Sequence, residues 1–364
     1  MVKPIDLSKF RRDITKSVEG ISEGTRNPDT WIDLGNKAMN WLVSGDFNKG
    51  PPLGKVTVLA GDSGAGKSYI TANAIKWCLA NDIIVVAMDS ENALDDDWLV
   101  RLGIDTKNPM LFKYNVSQID QCAGIISTFM KGYEAEYGSV VIEERPKVLF
   151  VIDSLGMLGT PTDRKQFEDG DLKGDMGRKP RALNALVRNC VVQFGNHNIG
   201  LLATNHTYAS QDQFDPDAKI PGGQGFIYAS SIVLALRKLK LKLDADGNKT
   251  SEVHGIRSMV QQRKSRFNYK GLYKTVELQI TMDRGLDPYS GLIDLFEDLG
   301  VLEKDGNKLK YLSLEGIEHK YFRKQIGPEL LDLIISEYPT RMDSAAVKTE
   351  QVTDHGEFRD QDDH

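Results

Sequence analysis

The chain has 364 residues, of which 40% are hydrophobic and 27% charged, and a formal net charge of −6. That length accommodates one large α/β domain with appendages or two ordinary domains, and no apolar stretch nears the roughly 20 residues of a membrane span. The acidic balance excludes a surface coated in positive charge, so any nucleic-acid partner must be met by local basic residues.

The opening Met1-Val2-Lys3-Pro4 lacks the apolar core of a signal peptide. Cys78, Cys122 and Cys190 are odd in number and scattered among apolar neighbours, which predicts buried thiols and a reducing, cytoplasmic setting. No H-x-x-x-H or C-x-x-C spacing appears, so a zinc site built by protein ligands is not expected.

In chain order, residues 1–28 are polar with Phe10, Ile14 and Val18 at helical spacing. This predicts an amphipathic arm, lying either on its own domain or on a neighbouring subunit. From Trp31 the pattern is globular. Apolar β-type runs at 56–60, 83–88, 148–152, 200–204 and 232–237 alternate with helical segments at 68–80, 94–102, 118–137 and 181–196. Such alternation predicts an α/β fold with a mostly parallel central sheet covered on both faces. Runs at 255–262 and 274–282 flank a turn at 266–271 and predict antiparallel strands at one edge. Beyond Gly285 a small α+β module is expected, with a helix at 291–299, a hairpin around 304–310 and a last helix at 328–337. The expected division is an arm (1–28), a core (29–284), this C-terminal module (285–340) and an acidic tail (341–364) whose closing residues lack apolar anchors and predict disorder.

Residues 61–68, G-D-S-G-A-G-K-S, fit the phosphate-cradling pattern G-x-x-x-x-G-K-[ST] between an apolar strand and a helix. Glycines let the turn curl around phosphate oxygens, backbone N–H groups point at them, and Lys67 adds a point charge. ATP and Mg2+ are the expected cofactors, with Gly61, Ser63, Gly64, Ala65, Gly66, Lys67, Ser68 and Tyr69 around the nucleotide. Ser68 and Asp153, the acid that ends the strand at 148–152, are the expected metal ligands. Glu91 follows the strand at 83–88 at the same sheet edge and is the candidate general base for hydrolysis. The alternative is a helix-cap carboxylate, since Asp89, Ser90 and Asn92 all resemble caps.

The stretch 89–105, D-S-E-N-A-L-D-D-D-W-L-V-R-L-G-I-D, resembles RecA-family recombinases, and the wider chain resembles the phage UvsX branch of that family. Ile152-Asp153-Ser154-Leu155-Gly156, Asn205-His206-Thr207-Tyr208, Gly222-Gly223 with Tyr228-Ala229-Ser230, Lys264-Ser265-Arg266 and the segment from Gly285 to Leu292 follow in family order over about residues 30–310. The resemblance implies a RecA-type P-loop ATPase core. It gives Glu91 the water-activating role, Trp98 the aromatic platform under adenine and Asp95 a place near the base's amino group. For Trp98 the other reading is a core anchor. It implies that His206 senses the γ-phosphate, the other reading being a hydrogen-bonded structural histidine at a strand end; most RecA proteins carry glutamine there. Lys264 and Arg266 correspond to a basic pair that reaches the neighbouring subunit's phosphates, the alternative being solvated charges in a turn.

Two stretches match the family's DNA-binding loops, 160–179 and 211–224, both read as glycine-rich connections. Arg178, Lys179, Phe214, Gly222 and Gly223 are the leading contacts, although acids are interspersed among them. The function implied is an ATP-dependent recombination protein that forms helical homo-oligomeric filaments on single-stranded DNA, pairs it with homologous duplex and hydrolyses ATP between subunits. Mediator and single-strand-binding proteins are the further partners implied, no membrane is, and the setting is the host cytoplasm if the chain is phage-encoded. The alternatives are a ring-shaped helicase motor of the same fold, a nucleotide-bound mediator without turnover, and a small-molecule kinase.

Overall fold

A computed structural model describes residues 7–17, 27–170, 177–195, 197–208, 220, 223–242 and 250–353. In chain order the elements are α1 (Leu7–Ser17), α2 (Lys37–Ser44), β1 (Val56–Gly61), α3 (Lys67–Ala80), β2 (Ile84–Asp89), α4 (Asp96–Arg101), β3 (Leu111–Asn115), α5 (Ile119–Tyr137), β4 (Val148–Asp153), α6 (Pro161–Glu168) and α7 (Arg178–Phe194). They continue with β5 (Ile199–His206), α8 (Gly223–Ala229), β6 (Ile232–Leu241), β7 (Gly255–Lys264), β8 (Thr275–Thr281), β9 (Gly285–Leu286), α9 (Leu292–Asp298), β10 (Glu303–Asp305), β11 (Lys308–Leu312), β12 (Glu318–Phe322) and α10 (Pro328–Thr353).

Nine strands form one sheet in the order β3-β2-β4-β5-β1-β6-β7-β8-β9. The first six run parallel, and β7, β8 and β9 add antiparallel at one edge, as the sequence predicts. Alternation along each strand divides the interior in two. On β4, Leu149 and Val151 enter a core shared with α2 and α3, whereas Val148, Phe150 and Ile152 enter one shared with α5 and α7. Both faces being covered, the strand reads as an unbroken apolar run. This is the mostly parallel α/β core, covered on both faces, that the sequence predicts.

The C-terminal elements pack on the first of these cores: Leu292, Phe296, Tyr311 and Ile334 belong to it, and Phe47 meets Phe296 and Tyr338 edge-on at 5.3 and 5.2 Å. A second sheet, β10-β11-β12, lies in this region.

Several elements differ from expectation. The strands β3 and β12 are too short and polar for periodicity to mark them; β3 buries only Leu111. The stretch 160–179, expected to be a loop, contains α6, because Thr160 and Asp163 close a reciprocal capping box and Pro161 takes the first turn. The last helix runs past Glu337 and Pro339 to Thr353. Residues 354–364, expected to be disordered, lie outside the described residues. The three cysteines are buried, and burial pushes the thiols of Cys122 and Cys190 up to about 12. No helix among the described residues is long and apolar enough to cross a membrane.

Phe150 is the pivot of the α5/α7 core, stacked on Phe194 at 5.4 Å and edge-on to Phe129 at 5.3 Å. Its truncation in Phe150→Ala leaves a cavity that β4, paired on both sides, cannot close, and should cost about 3–5 kcal/mol in urea unfolding.

Candidate active site

The strand register gathers the candidate residues at one edge. Gly61 at the end of β1 stands beside His206 at the end of β5, and Asp89 at the end of β2 stands beside Asp153 at the end of β4. In a parallel sheet these are C-terminal ends, where open α/β folds place their ligands.

The loop after β1 uses left-handed backbone at Gly64 (φ 70°) and Gly66 (φ 91°), where a side chain would be strained. At Gly66 a Cβ would also lie 2.5 Å from Ile280 Cδ1. Ser63 and Gly64 are exposed, Ala65 is buried, and α3 begins at Lys67. Lys67 itself is 6% exposed, and its Nζ donates to the carbonyls of Gly61 (2.9 Å) and Asp62 (2.8 Å). Burial lowers this ammonium from its ordinary value, against the opposing pull of Asp153, Glu91 and Asp62.

Asp153 is 1% exposed. Burial raises its carboxyl above the ordinary range, opposed by hydrogen bonds from Thr204 and Ser68 and reinforced by Glu91 and Asp89. Thr204 Oγ1 donates to Asp153 Oδ1, while Oδ2 is buried without a hydrogen-bond partner among the described residues. A buried carboxylate oxygen with nothing to accept, close to the Ser68 hydroxyl, fits Mg2+, a hard cation that keeps most of its shell as water and phosphate oxygen.

Glu91 lies in the turn after β2. Asp89 shapes that turn by accepting from the backbone N–H groups of Glu91 (2.9 Å), Ala93 (3.2 Å) and Leu94 (2.8 Å). The cap of α4 is Asp95, whose Oδ1 accepts from Trp98 N at 2.8 Å, so the capping expected of Asp89, Ser90 or Asn92 falls to Asp95. That leaves Glu91 uncommitted to a helix end. Its Oε1 lies 2.7 Å from His206 Nε2 and accepts from Ser154 Oγ. Trp98 is half-buried and edge-on to Tyr69, the residue after Ser68, at 6.3 Å, so it anchors on the core.

The basic pair is elsewhere. Lys264 pairs with Val233, whereas Gly61 turns into the phosphate loop at the level of Leu236, three residues and about 10 Å further along the sheet. Its Nζ donates to the carbonyls of Ile227 (3.0 Å) and Tyr228 (2.6 Å) at the end of α8, away from the loop. Burial and then the Arg266 guanidinium lower both Lys264 and Lys55, so three cations gather at the edge where β1 begins. Neither Lys264 nor Arg266 is placed to meet this chain's own phosphate loop.

Among the expected DNA contacts, Arg178 Nη1 donates to Thr162 Oγ1 (2.9 Å) and Lys179 Nζ to Gly156 O (2.6 Å). Gly223 opens α8. Phe214 and Gly222 lie outside the described residues. Sequence reading passed over Ser154, Thr204 and Lys238. The last reaches across Gly64, its Nζ 2.8 Å from where a Cβ would be, and its N–H donates to Asp62 Oδ2 at 3.2 Å. A signal for Ser154 was available, since adjacent strands end in the same Asp-Ser pair, 89–90 and 153–154.

Comparison with known proteins adds an independent line. No family model matches the chain. The "Recombination and repair protein" of Enterobacteria phage T4 is 28% identical over 271 residues, covering 74% of this chain and 64% of that protein, just under two thirds of its length. "Protein RecA" of Rhodococcus jostii is 26% identical over 300 residues, covering 81% of this chain and 78% of the relative. "Protein RecA" of Corynebacterium pseudotuberculosis is 25% identical over 364 residues, covering 98% and 88%. The resemblance to RecA-family recombinases, with the phage branch among them, therefore holds over most of the chain.

Proposed function

We propose that the chain is a DNA-dependent ATPase of the recombinase type, assembling on single-stranded DNA with each nucleotide between two copies and pairing that strand with homologous duplex. The observation that carries this reading is the separation of Lys264 and Arg266 from their own phosphate loop. Cations of the family's basic pair that cannot serve their own site become useful when another copy presents its loop to them, in the manner of an arginine finger.

On this reading the loop from Gly61 to Ser68 cradles the phosphates, Trp98 and Asp95 border the base, and Ser68 and Asp153 hold Mg2+. When bound, that ion neutralises phosphate charge and polarises the phosphoryl oxygens. Glu91 takes the proton of the attacking water, and His206, already in contact with it, is the side chain positioned to register the terminal phosphate. Arg178 and Lys179, beside the segment that follows Asp153, supply positive charge toward a DNA strand. Two exposed surfaces suit the joint between copies: the face of α1 bearing Leu7, Phe10 and Ile14, and the sheet edge β3, where Phe112 and Tyr114 line a groove of about 550 Å3 with Ile125 and Phe129. The retained base separates this reading from a non-hydrolysing mediator. Electron microscopy on single-stranded DNA separates an open filament from a helicase ring.

ATP turnover should rise on adding single-stranded DNA, and Glu91→Gln should lower the stimulated rate by roughly 10²–10⁴-fold. A rate indifferent to DNA would remove the proposal. A second measurement tests sharing of the site: the double variant Lys264→Ala/Arg266→Ala and Glu91→Gln should each be inactive alone, yet recover turnover when mixed, because a mixed interface joins an intact loop to an intact basic pair. No recovery on mixing would place both halves in one chain.

The charge state of Asp153 gives a third test. Its folded value is raised, so ionisation in the folded protein costs stability, a cost absent below the ordinary carboxylate range and complete once pH exceeds the raised value. Asp153→Asn should therefore raise the melting temperature of nucleotide-free protein at neutral pH and abolish magnesium-dependent turnover. An unchanged or lower melting temperature in calorimetry would show that burial of the charge is compensated.

A further inference from the structure

The Glu91 carboxylate is held through one of its two oxygens. Ser154 Oγ donates to Oε1 and His206 Nε2 lies 2.7 Å from the same atom, while among the described residues no polar contact is made by Oε2. The two partners differ in how firmly they are placed. The His206 side chain is 31% exposed at the open end of β5, whereas Ser154 is fully buried.

A clasp between neighbouring strand ends holds Ser154. Its N–H donates to Ser90 Oγ at 2.9 Å, and the same Ser90 hydroxyl donates to Ser154 O at 2.7 Å. Next to it, Ser90 N–H donates to Asp153 O at 2.7 Å. The twin Asp-Ser ends of β2 and β4 are therefore stitched to each other, and Glu91 hangs from both: its backbone N–H on Asp89 Oδ1 at 2.9 Å and its side chain on Ser154.

We propose that Ser154 is a positioning residue for Glu91: its hydroxyl, carried on a backbone clasped by Ser90, fixes Oε1 so that Oε2 is presented to the attacking water. This rests on Glu91 being the base. A carboxylate held at both backbone and side chain loses the rotamer freedom that would otherwise misplace the proton-accepting oxygen, and displacement of a reacting group by about 1 Å costs up to two orders of magnitude in rate. The arrangement also divides labour. His206 is free to turn toward another acceptor without releasing Glu91, because the buried serine retains it.

The test is steady-state ATP turnover with single-stranded DNA, and ATP binding, for wild type, Ser154→Ala, Ser154→Thr, Ser90→Ala, Glu91→Gln and the Ser154→Ala/Glu91→Gln pair. Ser154→Ala should lower kcat about tenfold or more with KM within about twofold, since an interaction that orients the base acts on the chemical step. Ser154→Thr keeps the hydroxyl and should recover most of that loss, and Ser90→Ala should produce the same pattern at smaller size. Adding Ser154→Ala to Glu91→Gln should reduce turnover no further, because there is then no base to position. If Ser154→Ala lowers turnover by the same factor in both backgrounds, or weakens ATP binding instead of kcat, the serine acts on folding or on the phosphate loop and the inference fails. Wild-type turnover in Ser154→Ala with a crippled Glu91→Gln would overturn the positioning role alone, whereas wild-type turnover in Glu91→Gln would overturn the base assignment beneath it.

Discussion

The register of the parallel strands is the constraint on which the rest depends. β1 ends level with β5 and β2 ends level with β4, and the β4–β5 register sets Asp153 two residues short of His206, so four chain segments distant in sequence leave the same edge of the sheet, with Gly61, His206, Asp89 and Asp153 as their last residues. Slip of one strand by a single residue would exchange its two faces, turning Phe150 out of one core and Leu149 out of the other. The two cores on either side of β4 therefore hold the functional edge in alignment, and packing far from the site sets its geometry.

That alignment forces charges out of water before any ligand arrives. Lys67 and Asp153 are 6% and 1% exposed, and each is shifted toward its neutral form chiefly by burial. Neither is neutralised by a close contact with the other: Lys67 turns back onto two loop carbonyls, and Asp153 accepts from Thr204. A site prepared in this way holds dipoles and charges already oriented, so little reorganisation remains when charge develops on a bound phosphate. Its cost in stability falls on the same residues that a triphosphate with its cation would relieve.

The tight loop between β1 and α3 was legible because its left-handed turns demand glycines in fixed places, and the buried carboxylate of Asp153 because a strand covered on both faces reads as an apolar run that a carboxylate then ends. The antiparallel edge was legible too, from two β-type runs around one turn. Where side chains are only half-buried, the pattern failed: β3 buries one residue of five and β12 none, and α6 is specified by its capping box rather than by an apolar face. Trp98 could be read two ways, and the structure shows the packing of one of them, half-buried against the core and edge-on to Tyr69. Ser154 was missed for a different reason. A hydroxyl acquires meaning only from what it faces, and Glu91 is 63 residues away in the chain.

On the proposed reading, the basic pair makes one copy of the chain an incomplete object. Lys264 rests on the carbonyls that end α8, a partner that needs a hydrogen bond but offers no full negative charge. Burial and the neighbouring Arg266 both disfavour its charged form there, so the ammonium stands where its charge is least compensated. A phosphate presented by a second copy would compensate that charge, and drawing Lys264 toward it would leave Ile227 O and Tyr228 O to find another donor. Under the same proposal, since α8 begins at Gly223, within the stretch 211–224 that the family resemblance assigns to DNA, the ammonium is shared between the copy-to-copy joint and the strand-facing segment. On the proposed reading, nucleotide occupancy and grip on DNA are coupled through competition for a single lysine, and no long chain of intervening contacts is required.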